Sequence, residues 1–498
     1  MKRFITLLTL AISLVILAAS CDRSYALRAI PDDTVLAIKI HPGTLIDQSG
    51  IQGNRDIEKM LRDIADKDRY SLLKKIIESP ESATGIDVDQ EIVIASTLED
   101  TYLIVPLSSP KRFVSFLKET EVDVNSVSGR QKGYTHTVGY DEDYPEGIIG
   151  EHVAIFTTGY GKKASELAEL ILEGCSIDES SFLDFCSADE AVAIWFSIPA
   201  LSDKAGSYIR DDEVMALMML GDSYFLATVD PGRGGADMYV KAYMDKDLSN
   251  NTGSITKLVS LGSTKYFKYM PSEPMLVINA GTGNFKDIYE SIPAYSKKTM
   301  GLDEMIERAG LVKDDLKGIG GPFTLAGSAV QMDYDVLPSF SFAITCKEEV
   351  VKKIAKSAGL PEKNGAWHIP AGEVDLYMFA ADGALVLMTA DLYKRSMGET
   401  MASNLGDDQV RHKVSRASLV FNFKSKFFKP ILKEAMDDDH LPADLQKELL
   451  KDFALLDYAK IDYNIIGGEL HLSLRTTENK YLLESIVDVV TSLYKVAR

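Results

Sequence analysis

The sequence predicts an α+β protein made of antiparallel sheets with helices packed on one face, a ferredoxin-like βαββα-type arrangement that occurs twice along the chain. Three observations carry this prediction. Segments of the first half recur in order in the second, apolar runs of strand length alternate with stretches of helical periodicity, and glycine-rich turns join neighbouring strands. Antiparallel sheets backed by helices are the layer architecture that buries such segments.

The first strand, Val35 to Ile40, runs through His41-Pro42-Gly43 into a helix and aligns with Met275 to Ala280 followed by Gly281-Thr282-Gly283. Within Leu45 to Ile77, apolar residues at Met60, Leu61, Ile64 and at Leu72, Leu73, Ile76, Ile77 keep the i, i+3, i+4 spacing of amphipathic helix. Strands follow at Glu91 to Ser96 and Tyr102 to Leu107, then a helix at Pro110 to Glu119. Tyr102 to Leu107 with its helix matches Phe340 to Thr345 followed by Glu348 to Lys356. Val153 to Thr157, with a helix from Lys162, matches Ala384 to Thr389 followed by Leu392 to Met397.

Ala191 to Ile198 corresponds to Ser418 to Phe423. The strands Tyr224 to Val229 and Asp237 to Tyr243, joined by Pro231 to Gly235, correspond to Tyr458 to Ile465 and Glu469 to Leu474, joined by Ile466-Gly467-Gly468. Glycine supplies the positive φ that tight hairpins demand. A last helix has Thr476 and Thr477 as caps, Glu478 at its positive end and an inward stripe of Tyr481, Leu482, Ile486, Val489, Val490 and Leu493. The order is A, B, A′, B′: a first half at 29–270 (A 29–180, B 181–270) and a second at 271–498 (A′ 271–402, B′ 403–498).

Residues 1–20 carry the three regions of a signal peptide: Lys2 and Arg3, an apolar stretch from Phe4 to Leu17, and small residues before Cys21. The apolar stretch is shorter than the roughly 20 residues a membrane-spanning helix needs. Ala18-Ala19-Ser20-Cys21 fits a lipobox, with Leu17 one place further from the cysteine than usual. The expected mature protein therefore begins at a lipidated Cys21 and is tied to the membrane by a short tether, residues 21–28.

The whole chain has a net charge of -20, from 54 Lys and Arg against 74 Asp and Glu, and loss of Lys2 and Arg3 makes it more negative still. Such a surface repels nucleic-acid phosphates, so DNA and RNA are not expected partners. Beyond Cys21 stand Cys175, Cys186 and Cys346. Their spacing makes no metal motif; Cys175 and Cys186 either close a loop or remain thiols, and Cys346 reads as a buried small hydrophobe.

Other motifs read as structural. Gly281-Thr282-Gly283 and Gly318 to Pro322 are expected to be loops, since G-x-G-x-x-G is incomplete at Lys286. Asp141 to Glu146 lacks the glycine and terminal glutamate of a calcium loop and reads as a hairpin tip. Asp437-Asp438-Asp439-His440 precedes Leu441-Pro442, where acids favour a helix start. His136, His152, His368 and His471 lie in or beside strands as packed or surface groups, and Trp195 and Trp367 read as core, although Trp367 with Tyr377 has the chemistry to stack on a sugar or peptide. No catalytic residue, cofactor or metal site is assigned.

The opening Ala29-Ile30-Pro31-Asp32-Asp33-Thr34-Val35-Leu36-Ala37-Ile38, set just after a lipobox and before a long repeated α+β chain, resembles the Bacteroidales envelope lipoproteins of domain-of-unknown-function family 4836. The resemblance implies a lipid-anchored cell-envelope location, with the outer membrane as the expected address and its periplasmic or surface face open. It implies no activity. The expected function is a non-enzymatic binding or structural module with an envelope protein or glycan as partner. The alternatives are a hydrolase with acidic catalysts and an accessory subunit of a secretion or assembly complex.

Overall fold

The computed structural model describes residues 24–497, apart from 65–66, 128–132, 142–143, 159–160, 206–220, 245–258, 261, 293, 333–334, 372–373, 397–416, 427, 439–441 and 465–467. Helix and strand occur in comparable shares, and the described strand pairings are antiparallel. The chain forms two compact units. One takes the described residues up to Pro231 with Tyr481–Thr491 and the described part of Ala242–Asp245; the other takes Gly232–Lys241, the described part of Lys246–Lys480, and the residues from Ser492.

In unit 1 the strands are β1 (Leu36–Ile40), β2 (Ile92–Ser96), β3 (Thr101–Pro106), β4 (Val124–Ser126), β5 (His136–Val138), β6 (Gly147–Ile149), β7 (Val153–Thr157), β8 (Val192–Ser197) and β9 (Tyr224–Asp230). They lie in the order β4-β5-β6-β7-β3-β2-β1-β8-β9. A split βαβ unit of ferredoxin type would insert a strand between β1 and β2. Here the two pair directly, Ile38 opposite Ile94, because the helical segment between them returns the chain alongside the strand it left.

One face of this sheet is dense core. Ala37, Val93, Ala95, Ala193 and Trp195 pack with Leu27, Leu167, Phe182 and Phe185. The alanines on the central strands leave room for the aromatic layer, in which Trp195 meets Phe182 edge-on at 5.1 Å and donates from Nε1 to Ser181 Oγ at 3.0 Å. Adjacent residues of one strand point to opposite faces, and at β3 and β7 the second face is also covered. Val105 and Ala154 join Phe113, Val114 and Leu117 of the helix Pro110–Glu119 in a separate cluster. Helices therefore cover both faces here, not one.

From Ser24 onward the supposed tether is folded. Residues Tyr25–Arg28 form a short helix capped by Ser24 Oγ, and Ala26 and Leu27 are buried in the main core of unit 1.

Unit 2 contains β10 (Gly235–Tyr243) through Lys241, β11 (Val259–Ser260), β12 (Leu276–Asn284), β13 (Ile319–Met332), β14 (Asp335–Cys346), β15 (Glu362–Lys363), β16 (Ala366–Ala371), β17 (Val374–Ala381), β18 (Ala384–Thr389), β19 (Ala417–Asn422), β20 (Leu456–Asn464) and β21 (Glu469–Thr476). Their order is β15-β16-β17-β18-β14-β13-β12-β19-β20-β21-β10, with β11 beside the end of β12. From β15 to β20 this repeats, strand for strand, the order β4 to β9 of unit 1.

The cross-strand rows repeat as well. Leu103, Ile94, Ile38 and Ile194 stand opposite one another in unit 1. Phe342, Leu325, Ile278 and Leu419 do so on the equivalent strands of unit 2. This apolar row is only half-buried, and Leu103 is 39% exposed.

The C-terminal helix departs from the expected stripe. It runs Leu482–Ala497, so Thr476 ends β21 instead of capping a helix. Ser485 and Thr491 are buried, while Ile486 and Val490 are 47% and 48% exposed.

Candidate functional site

Cys21 lies outside the described residues. Cys175 and Cys186 are half-buried and no disulfide joins them, and Cys346 is buried, which pushes its thiol up to about 11. Gly281 and Gly283 do not form a loop: they lie inside β12, with Gly281 opposite Pro322. Gly320, the second residue of the partner strand, has φ +129°, and a Cβ there would fall 2.3 Å from the Gly283 carbonyl oxygen, so these glycines permit two backbones to approach closely. Asp437 and Asp438 end the helix Phe428–Asp438 rather than opening one; Asp439 to Leu441 lie outside the described residues. Asp141 accepts from the Tyr144 amide between β5 and β6, as a hairpin tip does; residues 142–143 lie outside the described residues. Trp195 and Trp367 are core residues, and Tyr377 stacks on Tyr393 at 4.3 Å. Among the described residues no group of three or more His, Cys, Asp or Glu is placed to hold a metal, and no helix is long and apolar enough to cross a membrane.

Three polar constellations emerge that the sequence did not announce. The first is in unit 1. Lys39 has no exposed surface, and its Nζ donates to the carbonyls of Ala188 (2.6 Å) and Cys186 (3.1 Å), at the end of the helix Ser180–Ser187. A cation at a helix C-terminus meets the negative end of its dipole. Burial nonetheless lowers the lysine's pKa, against the raising influence of Glu91, Cys186, Asp189 and Glu190.

The second runs across unit 2. Thr324, Asn279, Ser418 and Asp462 stand opposite one another and are all at least nine-tenths buried. Asp462 receives Ser418 Oγ at 2.5 Å and pairs with Lys460 Nζ at 2.8 Å. On β10 and β21, Asp237 accepts from Arg475 Nη2 through both oxygens (2.7 and 2.9 Å) and from Ser473 Oγ (2.9 Å), with His471 Nε2 at 3.0 Å. Tyr239 lies flat on His471, ring centroids 4.0 Å apart. Serine, histidine and aspartate thus meet, but Ser473 and Asp237 both address Nε2. A nucleophile relay needs them on opposite ring nitrogens. The arrangement is a cross-strand clip between β10 and β21.

Burial acts to raise the Asp237 pKa, yet the bonds from Arg475, Ser473 and His471 together outweigh it and hold the carboxyl below its usual value. A carboxyl depressed in the folded state contributes stability above its unfolded pKa and loses it as pH falls through the folded one. Asp237→Asn should therefore flatten the acid limb of stability against pH below about pH 4. Because the side chain is about one-third exposed, the effect at neutral pH should stay under about 1 kcal/mol. Urea melts of both proteins from pH 3 to 7 test this; parallel acid limbs would refute it.

The third is a groove on unit 1, about 620 Å³, between the helix Pro80–Thr84 and the start of the helix Pro110–Glu119. Gly85 ties its two sides together. At φ +77° this residue ends the first helix, and a Cβ there would lie 2.5 Å from the Ser109 carbonyl oxygen. Its carbonyl accepts from the amides of Ser108 (3.0 Å) and Ser109 (3.1 Å) and from Ser108 Oγ (3.3 Å). Arg112 reaches back, Nε donating to the carbonyls of Ser82 (2.9 Å) and Ala83 (3.0 Å).

No protein-family model matches the chain, and no curated relative does. Weakly similar solved structures include two of TP0453. "Structure of crystal form III of TP0453" aligns at 10% identity and TM-score 0.27, covering 46% of this chain and 86% of that one. "Structure of crystal form I of TP0453" aligns at 8% and 0.21, covering 76% and 98%. Likeness at this level carries no argument about fold or function.

Proposed function

We propose that the protein is a cell-envelope lipoprotein, anchored through a lipidated Cys21 in the manner of the Bacteroidales family it resembles, whose internally duplicated α+β body binds a partner without catalysis. The outer membrane is its proposed address. The observation that carries this reading is the repeated strand order joined to unlike polar residues. The two units share the scaffold row Leu103, Ile94, Ile38, Ile194 and its counterpart Phe342, Leu325, Ile278, Leu419. On the opposite face, the positions of Lys39, Ala193 and Thr228 in unit 1 hold Asn279, Ser418 and Asp462 in unit 2. Duplication has kept the framework and varied the chemistry, and these buried positions do not repeat one set of polar groups, as a reaction centre shared by both units would. The acidic groups described above also have their charges met by Arg475 and Lys460, which supports a structural use for them.

With Ser24 and the helix after it already part of the fold, the proposed leash is only three residues long, roughly 10 Å at full extension. Cys21→Ala should move the protein from the membrane pellet into the soluble envelope fraction. Retention in the pellet after a carbonate wash would sink the lipid anchor, and hydrolysis of envelope peptides or glycans by the purified wild type would sink the non-enzymatic reading.

A further inference from the structure

We infer that the groove between the helices Pro80–Thr84 and Pro110–Glu119 is a binding site for a short neutral glycan. This rests on the binding-module reading and names the class of ligand. Its volume, about 620 Å³, lies within the range of small-ligand sites, about 300–1,000 Å³.

The lining is rich in groups that give or accept hydrogen bonds. Ser79, Ser82, Ser108 and Ser109 contribute hydroxyls, Glu81 a carboxylate and Arg112 a guanidinium. Ser82 and Ser108 spend their protons on the carbonyls of Ser79 and Gly85, which leaves their oxygens to accept. Ser109 Oγ accepts from the Arg112 amide, which leaves its proton to give. Donors and acceptors are therefore both present within one concavity, as the hydroxyls of a sugar require. Pro80 and Val88 add apolar surface for the C–H face of a ring.

Charge selects against the competing ligands. Arg112 and Glu81 bring opposite charges to the groove, and Glu119 lies 3.4 Å from Arg112 Nη1. An anion would meet these carboxylates and the field of a chain with net charge -20, and a cation would meet the guanidinium. An uncharged polyhydroxylated molecule meets neither penalty. The site is also preorganised, because the bonds at Gly85 and the two carbonyls that hold Arg112 Nε fix its walls before any ligand arrives.

The test uses the mature full-length chain, made soluble as Cys21→Ala, and saturation-transfer NMR with chitotriose, maltotriose and mannotriose as probes. At least one trisaccharide should receive saturation. Arg112→Ala, checked for folding by its melt, should weaken that binding about tenfold, the loss of one charge-assisted bond. The exposed Ser82→Leu change, which fills the groove and leaves the Arg112 anchoring carbonyls in place, should do the same and decides the matter if Arg112→Ala does not fold. Absence of transfer to all three sugars, equal transfer in the Ser82→Leu protein, or displacement by inorganic phosphate would each overturn the proposal. None of these results touches the membrane-release experiment, so the glycan site and the lipoprotein reading fail separately.

Discussion

Replacing Asp462 with alanine should destabilise the protein by about 3–5 kcal/mol, the penalty of leaving a buried charge without its partner. Asp462 and Lys460 have side chains only 4% and 6% exposed and meet at 2.8 Å, with Ser418 Oγ completing the aspartate's shell. Removing the carboxylate strands the Lys460 ammonium in a place water does not reach. The pair itself is a different quantity from its rupture. Two desolvated charges gain little net stability over apolar residues of similar volume, so Lys460→Met with Asp462→Leu should cost far less than Asp462→Ala. Urea unfolding of the three variants separates the two effects. An Asp462→Ala penalty below about 1 kcal/mol, the scale of an exposed pair, would mean that the site is wet.

Lys39→Ala should cost about 2–5 kcal/mol through the volume it removes, and more because two carbonyls at a helix end lose their donor. Lys39 is wholly buried, its Nζ lies 5.5 Å from the centre of the Phe185 ring, and the carbonyls of Cys186 and Ala188 accept from it. The residue also makes a signed prediction about pH. Burial lowers its folded pKa below 10.5, so the unfolded chain holds the proton more tightly. Stability must then rise with pH between the folded value and the unfolded one, since the unfolded state binds more protons there. Lys39→Met, which keeps most of the volume, removes that slope. Chemical denaturation from pH 7 to 10.5 should show wild type gaining on Lys39→Met as pH rises, and a gap that narrows would contradict the assignment.

The strands were legible where the signal is local. Val153–Thr157 and Ala384–Thr389 lie where their apolar runs put them, and so does the helix Pro110–Glu119 behind its serine and proline. The alignment of Leu36 with Leu276 matches the pairing of β1 and β12 with their neighbours. The constellations were not legible, because their members meet through register rather than proximity in sequence. Asp237 and Arg475 are 238 residues apart, and Lys39 and Ala188 are 149 apart.

The C-terminal helix failed for another reason. Ser485 and Thr491 return their hydroxyls to the carbonyls of Tyr481 and Val487, so they can be buried at little cost. The expected stripe assumed that hydrophobicity alone decides which side of a helix turns inward. The groove had no sequence signature, since serines beside a proline are ordinary helix starts.

The make-up of the two units bears on how the protein reaches its final form. Unit 1 includes Tyr481–Thr491, and unit 2 includes Gly232–Lys241. A ribosome delivers the chain from its N-terminus, and domains ordinarily fold in that order as they emerge. Here the earlier unit cannot be completed until all but the last few residues have been synthesised. By the same logic, cutting the gene between the two sequence halves should yield two fragments that each lack a piece of the other.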